Sequence, residues 1–201
     1  AAAYKSPMLA AARAGRLDIV KLLAKETKLD AVGPQGESPL MLASAASSTG
    51  LMVFLLTHGA DPAITDKGAR TALDYAYSAC NAEAAGILLR ERNGAGGHDG
   101  RTSLLPAFVK RCPATGASQE LLALSDADGV DPAGRTALWH AAAKGDMAWV
   151  EAILGRHPDL AVADAQGVTA LHAAAARGQE GALSALLQAG AAAGAVDNDG
   201  N

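Results

Sequence analysis

The stretch Thr169-Ala170-Leu171-His172-Ala173-Ala174-Ala175-Ala176-Arg177-Gly178 decides the fold. Thr169 can accept a backbone N–H as the N-cap of a helix, and the small residues after it let a neighbouring helix approach closely. Gly178, nine residues on, suits the left-handed conformation that stops a helix. The pattern of Ser/Thr, small residue and apolar residue recurs at Ser6-Pro7-Met8, Ser38-Pro39-Leu40, Thr71-Ala72-Leu73, Thr102-Ser103-Leu104 and Thr136-Ala137-Leu138. Spacings of 32, 33, 31, 34 and 33 residues keep a register that chance does not hold.

Working outward, Gly15, Gly145 and Gly178 each close a first helix, and an apolar stripe follows. Examples are Leu51, Phe54, Leu55 and Leu56, then Trp149, Val150, Ile153 and Leu154, then Leu183, Leu186 and Leu187. A stripe of this kind needs a partner helix. Turn signals come next, at Gly59-Ala60-Asp61, Asp131 to Gly134 and Asp164 to Gly167. The reading is all-α: stacked helix–turn–helix units with β-turn or hairpin loops, repeating at about 1–33, 34–66, 67–97, 98–130, 131–163 and 164–196 within a single domain, 1–201. Residues 197–201 repeat the hairpin signal, so a further repeat is expected to begin there and the chain to be a truncated array.

Thr169-Ala170-Leu171-His172-Ala173-Ala174 and Leu55-Leu56-Thr57-His58-Gly59-Ala60-Asp61 resemble the ankyrin repeat family, and the likeness extends over nearly the whole chain. It implies a right-handed solenoid in which each repeat touches only its neighbours and whose function is protein binding. The fourth repeat departs from the pattern, because Pro106 falls in its first helix and Arg111-Cys112-Pro113-Ala114-Thr115-Gly116 replaces the tight turn. The weakest unit is therefore expected between about Gly94 and Gly116.

Half of the residues are apolar, only 3% are aromatic and 49 are Ala, so the core is expected to be built from small side chains. A formal net charge of −4 gives no overall pull toward nucleic acid or an anionic membrane, and neither partner is expected. No apolar run reaches the about 20 residues of a membrane span. Cys80 and Cys112 form neither a disulfide framework nor a metal motif and read as thiols. The five histidines fall in different repeats with no metal-ligand spacing, and no nucleophile elbow or phosphate loop is present. No enzyme activity, cofactor or metal is expected.

The resemblance also places a binding surface. In the family the concave face is made by the hairpin positions before each cap and by the ends of the first helices. Carried over, this names Lys5, Arg13, Lys67, Arg70, Arg101, Lys110, Arg135, Lys144 and Arg177, nine of 17 basic residues, with Tyr77 and Trp139 as aromatic anchors. Arg70, Arg101 and Arg135 share one hairpin position and are expected to form a ladder that meets an acidic or phosphorylated segment of a protein partner. His172, at the motif His, is expected to make local hydrogen bonds. The expected protein is a cytoplasmic monomer, with secretion into a host cell considered. It acts either as an adaptor or as the targeting module of a larger protein, such as a bacterial effector or signalling enzyme.

Overall fold

The structure, a computed structural model, describes residues 6–94, 105–115 and 118–200. They form two compact units, Ala1–Gly97 and His98–Asn201. The first contains α1 (Pro7–Arg13), α2 (Leu17–Leu23), α3 (Pro39–Ala45), α4 (Thr49–Thr57), α5 (Ala72–Ser78) and α6 (Ala82–Gly94). The second contains α7 (Leu105–Arg111), α8 (Ser118–Leu124), α9 (Ala137–Lys144), α10 (Met147–Leu154), α11 (Ala170–Ala176) and α12 (Glu180–Gln188). Among the described residues, the only strand-like pairings are isolated bridges joining Val130 to Thr136 and Ala163 to Thr169.

Five of the six expected caps open helices: Ser6, Ser38, Thr71, Thr136 and Thr169. The sixth, Thr102, lies outside the described residues. Four of the five accept the N–H three residues ahead, as Thr136 does from Trp139 at 3.1 Å, which satisfies a donor that the first turn leaves unpaired. Pro7 and Pro39 stand in the first turn, where they remove no helical hydrogen bond. Pro106 falls in the first turn of α7, so it opens that helix rather than interrupting its middle.

Helices pack in two layers in each unit. In the first unit α1, α3 and α5 form one row and α2, α4 and α6 the other; in the second, α7, α9 and α11 face α8, α10 and α12. Alanine makes the close approach possible: Ala12, Ala43 and Ala76 in the first unit, and Ala141, Ala142 and Ala174 in the second, are fully buried. The second unit also carries a larger anchor. Trp149 is wholly buried, meets Phe108 edge-on at 6.0 Å and donates its indole N–H to the Cys112 carbonyl at 2.9 Å. Neither Cys80 nor Cys112 is a free thiol, which corrects the reading of both as thiols.

A left-handed turn follows five of the first helices, α1, α3, α5, α9 and α11, at Gly15, Ser47, Cys80, Gly145 and Gly178, all with positive φ. The hairpin turn has the same property at Gly36, Ala69, Gly134, Gly167 and Gly200. Backbone geometry therefore repeats even where glycine does not.

Candidate partner-binding face

Three of the hairpins are built on an aspartate. Asp66 Oδ1 accepts the N–H groups of Gly68 and Arg70, Asp131 Oδ1 those of Ala133 and Arg135, and Asp164 Oδ1 those of Gln166 and Val168. Each turn is closed by the aspartate N–H donating to the carbonyl of residue 70, 135 or 168. Adjacent hairpins are tied by one backbone hydrogen bond: Lys67 to Gln35 in the first unit, and Ala165 to Ala133 and Asn198 to Gln166 in the second. The side chains just before each helix cap are held in fixed register by these bonds.

In the first unit Arg70 folds back on its own hairpin. Its guanidinium pairs with Asp66 Oδ2 at 2.7 Å, and the Tyr75 hydroxyl donates to the same oxygen at 2.9 Å. Asp66 is 1% exposed. The Arg70 side chain, with the N–H groups of the turn, holds the Asp66 carboxyl well below the usual range. Burial and the hydrogen bond to Asp66 push the Tyr75 phenol up to about 12. Arg70 and Tyr75 also line a cleft of 420 Å³ with Arg13, Gln35, Glu37, Leu42, Ala45 and Ala46.

In the second unit the same register is wired differently. His140, five residues after Arg135, reaches back to Asp131 with Nε2 2.9 Å from Oδ2. Burial lowers the His140 pKa, and Lys110 and Arg135 add to the effect against the opposing pull of Asp131, so the imidazole is neutral at pH 7. Burial works to raise Asp131, but hydrogen bonds from His140 and from two backbone N–H groups outweigh it and hold the carboxyl low. With Asp131 occupied, Arg135 crosses to the next hairpin and donates from Nε to Asp164 Oδ2 at 3.1 Å. Its guanidinium lies 4.4 Å from the centroid of the Trp139 ring, and that of Arg177 lies 5.6 Å from the same centroid.

The remaining sequence-derived candidates fall as follows. Arg13 ends α1, Lys110 lies in the last turn of α7, and Lys67 is exposed at its hairpin. Lys144, an exposed residue, donates to the Val109 carbonyl at 3.2 Å. Tyr77 is buried in α5, while Tyr75, two residues earlier, is the aromatic residue beside the cleft. Lys5 and Arg101 lie outside the described residues. The sequence reading missed Tyr75 and His140, each of which binds an aspartate nine residues upstream. His172 bonds Thr169 through Nδ1 and the Ala195 carbonyl through Nε2 at 3.0 Å, as the resemblance implied. Among the described residues no group of three or more His, Cys, Asp or Glu side chains is placed to hold a metal. No described helix is long and apolar enough to cross a membrane.

Stacked helix pairs joined by aspartate-anchored hairpins define a repeat protein of the α-solenoid class. A sequence profile described as ankyrin repeats, three copies, matches residues 7–99 and again 109–197. The chain belongs to the ankyrin repeat family, a family of protein-interaction repeats. Among curated proteins it is similar to palmitoyltransferase AKR1 of Lachancea kluyveri, 30% identical over 178 residues, which is 88% of this chain but 20% of that protein. It also matches palmitoyltransferase AKR1 of Candida glabrata, 44% identical over 66 residues, 33% of this chain and 9% of that protein. The chain thus spans a fifth or less of the length of these relatives. Among solved structures, the ankyrin repeat domain of Bcl-3 superposes with a TM-score of 0.81 at 24% identity, covering 98% of this chain and 91% of that one. The human ASB11 ankyrin repeat domain gives 0.78 at 23%, covering 98% and 89%. A chain from the complex of the Bd0816 predatory endopeptidase of Bdellovibrio bacteriovorus with immunity protein Bd3460 gives 0.72 at 23%, covering 92% and 99%. These three likenesses concern the fold.

Proposed function

We propose that this chain binds a polypeptide partner along the face formed by its hairpins and the C-terminal ends of its first helices, the concave face in the family, and catalyses nothing itself. One observation carries the reading: in each unit the hairpins and the first helices together gather basic and aromatic side chains, Arg13, Arg70 and Tyr75 around one cleft and Arg135 and Arg177 around one indole. Backbone hydrogen bonds between hairpins hold these groups before any partner arrives, which lowers the ordering cost of binding. Basic side chains predominate, so the partner surface is acidic or phosphorylated, and Lys110 and Lys144 extend it.

A second reading, favoured by the palmitoyltransferase relatives, is that these repeats are the targeting module of a larger protein whose chemistry lies elsewhere. A hydrogen-exchange footprint of a partner purified from the native source tests the first reading. Protection is expected at 66–70, 131–135 and 164–168 and at the ends of α3, α5, α9 and α11. A footprint confined to α4, α10 and α12 would contradict it.

A further inference from the structure

We propose that Arg135, Trp139 and Arg177 form a binding site for an oxyanion, a carboxylate or a phosphate, carried on a partner polypeptide. The site rests on the docking face proposed above and names what that face takes in the second unit.

The argument starts from one nitrogen. Trp139 Nε1 is buried without an acceptor, and it is the only such side-chain atom among the described residues. Trp139 occupies the third position of its helix, where two other repeats place a polar side chain that finds a partner: Asp74 accepts the Thr71 N–H at 2.8 Å, and His172 bonds Thr169 and Ala195. The other indole of the chain, Trp149, is also paired. A buried donor without an acceptor is an unrelieved cost in the free protein.

The surroundings supply the charge. Both guanidiniums lie over one ring, at 4.4 and 5.6 Å from its centroid, which keeps them within about a Debye length (~10 Å at 0.1 M salt) of each other. Asp164 engages Arg135 through Nε alone, and among the described residues nothing pairs with its terminal nitrogens. Among the described residues Arg177 has no carboxylate or carbonyl partner, and its side chain is exposed. Two cations thus share one aromatic ring with a single carboxylate between them. Guanidinium groups grip carboxylate and phosphate with paired N–H bonds, and an acid placed here also relieves their mutual repulsion. The indole N–H is buried, and the exposed Arg177 side chain lies over the same ring. Arg70, the counterpart of Arg135 in the first unit, meets Asp66 Oδ2 through both Nε and a terminal nitrogen.

The two indole N–H signals of the full chain provide the readout, one from Trp139 and one from Trp149. The probes are three peptides titrated at constant ionic strength: acetyl-Gly-Glu-Glu-Gly-amide, its doubly phosphoserine analogue, and the Gln analogue. A saturable shift of the Trp139 signal is expected with an acidic peptide and none with the Gln peptide, while Trp149 stays in place. Movement with both acidic peptides assigns the site to acids in general, and movement with the phosphopeptide alone assigns it to phosphate. Arg177→Gln is expected to weaken the apparent Kd about tenfold, with an unmoved Trp149 signal showing that the fold is intact. A Trp139 signal unaffected by both acidic peptides, or one that titrates equally in the Arg135→Gln/Arg177→Gln double variant, overturns the site. A silent indole together with a partner footprint on the hairpins removes this site and leaves the docking face standing. A titrating indole with a footprint on the second helices does the reverse.

Discussion

Arg70 and Arg135 stand one residue before the capping Thr of their helices, in different units, and meet opposite fates. Arg70 is locked to the aspartate of its own hairpin, with Tyr75 completing the cluster. Arg135 finds that aspartate taken by His140, crosses to Asp164, and lays its guanidinium over Trp139. Repeat register fixes where an arginine emerges. Its partner differs with the residue nine positions after the hairpin aspartate: Asp66 takes both the Tyr75 hydroxyl and Arg70, whereas Asp131 takes His140 and Arg135 pairs with Asp164 instead.

The comparison is broken most severely at the hairpin turn. Gly134 has φ 81°, and a Cβ there would lie 3.2 Å from the Asp164 Cα. Gly134→Ala is expected to cost about 2–3 kcal/mol in chemical denaturation of the second unit, and to disturb the Arg135–Asp164 pair with it. An unchanged midpoint would show that the two hairpins are not in close register.

Removing His140 is next in size. His140→Ala is expected to cost about 1–3 kcal/mol, because Asp131 loses a buried partner, and to free that carboxylate for Arg135. A crystal structure of the variant with Arg135 still on Asp164 would contradict this explanation of its route. The same histidine sets a pH dependence. Its folded pKa lies below its unfolded value, so the unfolded chain takes up the proton more readily, and stability falls as pH drops through the ordinary histidine range near 6.5. Hydrogen exchange, corrected for its intrinsic pH dependence, is expected to show the second unit losing protection between pH 7.5 and 5.5. In His140→Ala that loss is expected to be smaller.

The first unit offers the converse substitution. Ala69 holds φ 58° at the register position of Gly134, and Ala69→Gly is expected to stabilise by about 1 kcal/mol, read as a higher denaturant midpoint. A lower midpoint would mean that the left-handed turn there carries no strain. Tyr75→Phe is expected to have the smallest effect, since Asp66 keeps Arg70 and two backbone donors.

Much of this was legible in the sequence, and the losses have physical causes. Ser/Thr caps and the turn glycines report local geometry, so the helix starts and the turns at Gly15, Gly145 and Gly178 could be read directly. Ser47 and Cys80 adopt the same left-handed turn without the residue that signals it. Trp139 could be singled out because it stands where the motif has His. Tyr75 was passed over for Tyr77, although two helical positions turn a side chain to a nearly opposite face. The split between Arg70 and Arg135 was hidden, because it is decided by His140 and by an aspartate 29 residues away. The weakness expected between Gly94 and Gly116 spans residues 95–104 and 116, which lie outside the described residues.

The most direct test of the unequal charge of the two hairpins is the salt dependence of binding to the native partner, measured for Arg70→Gln and for Arg135→Gln/Arg177→Gln. Arg70→Gln is expected to leave the slope of log Kd against log salt unchanged, and the double variant to flatten it and weaken binding about tenfold or more. A flattened slope in Arg70→Gln with an unchanged one in the double variant would show that the first unit carries the charge the partner meets.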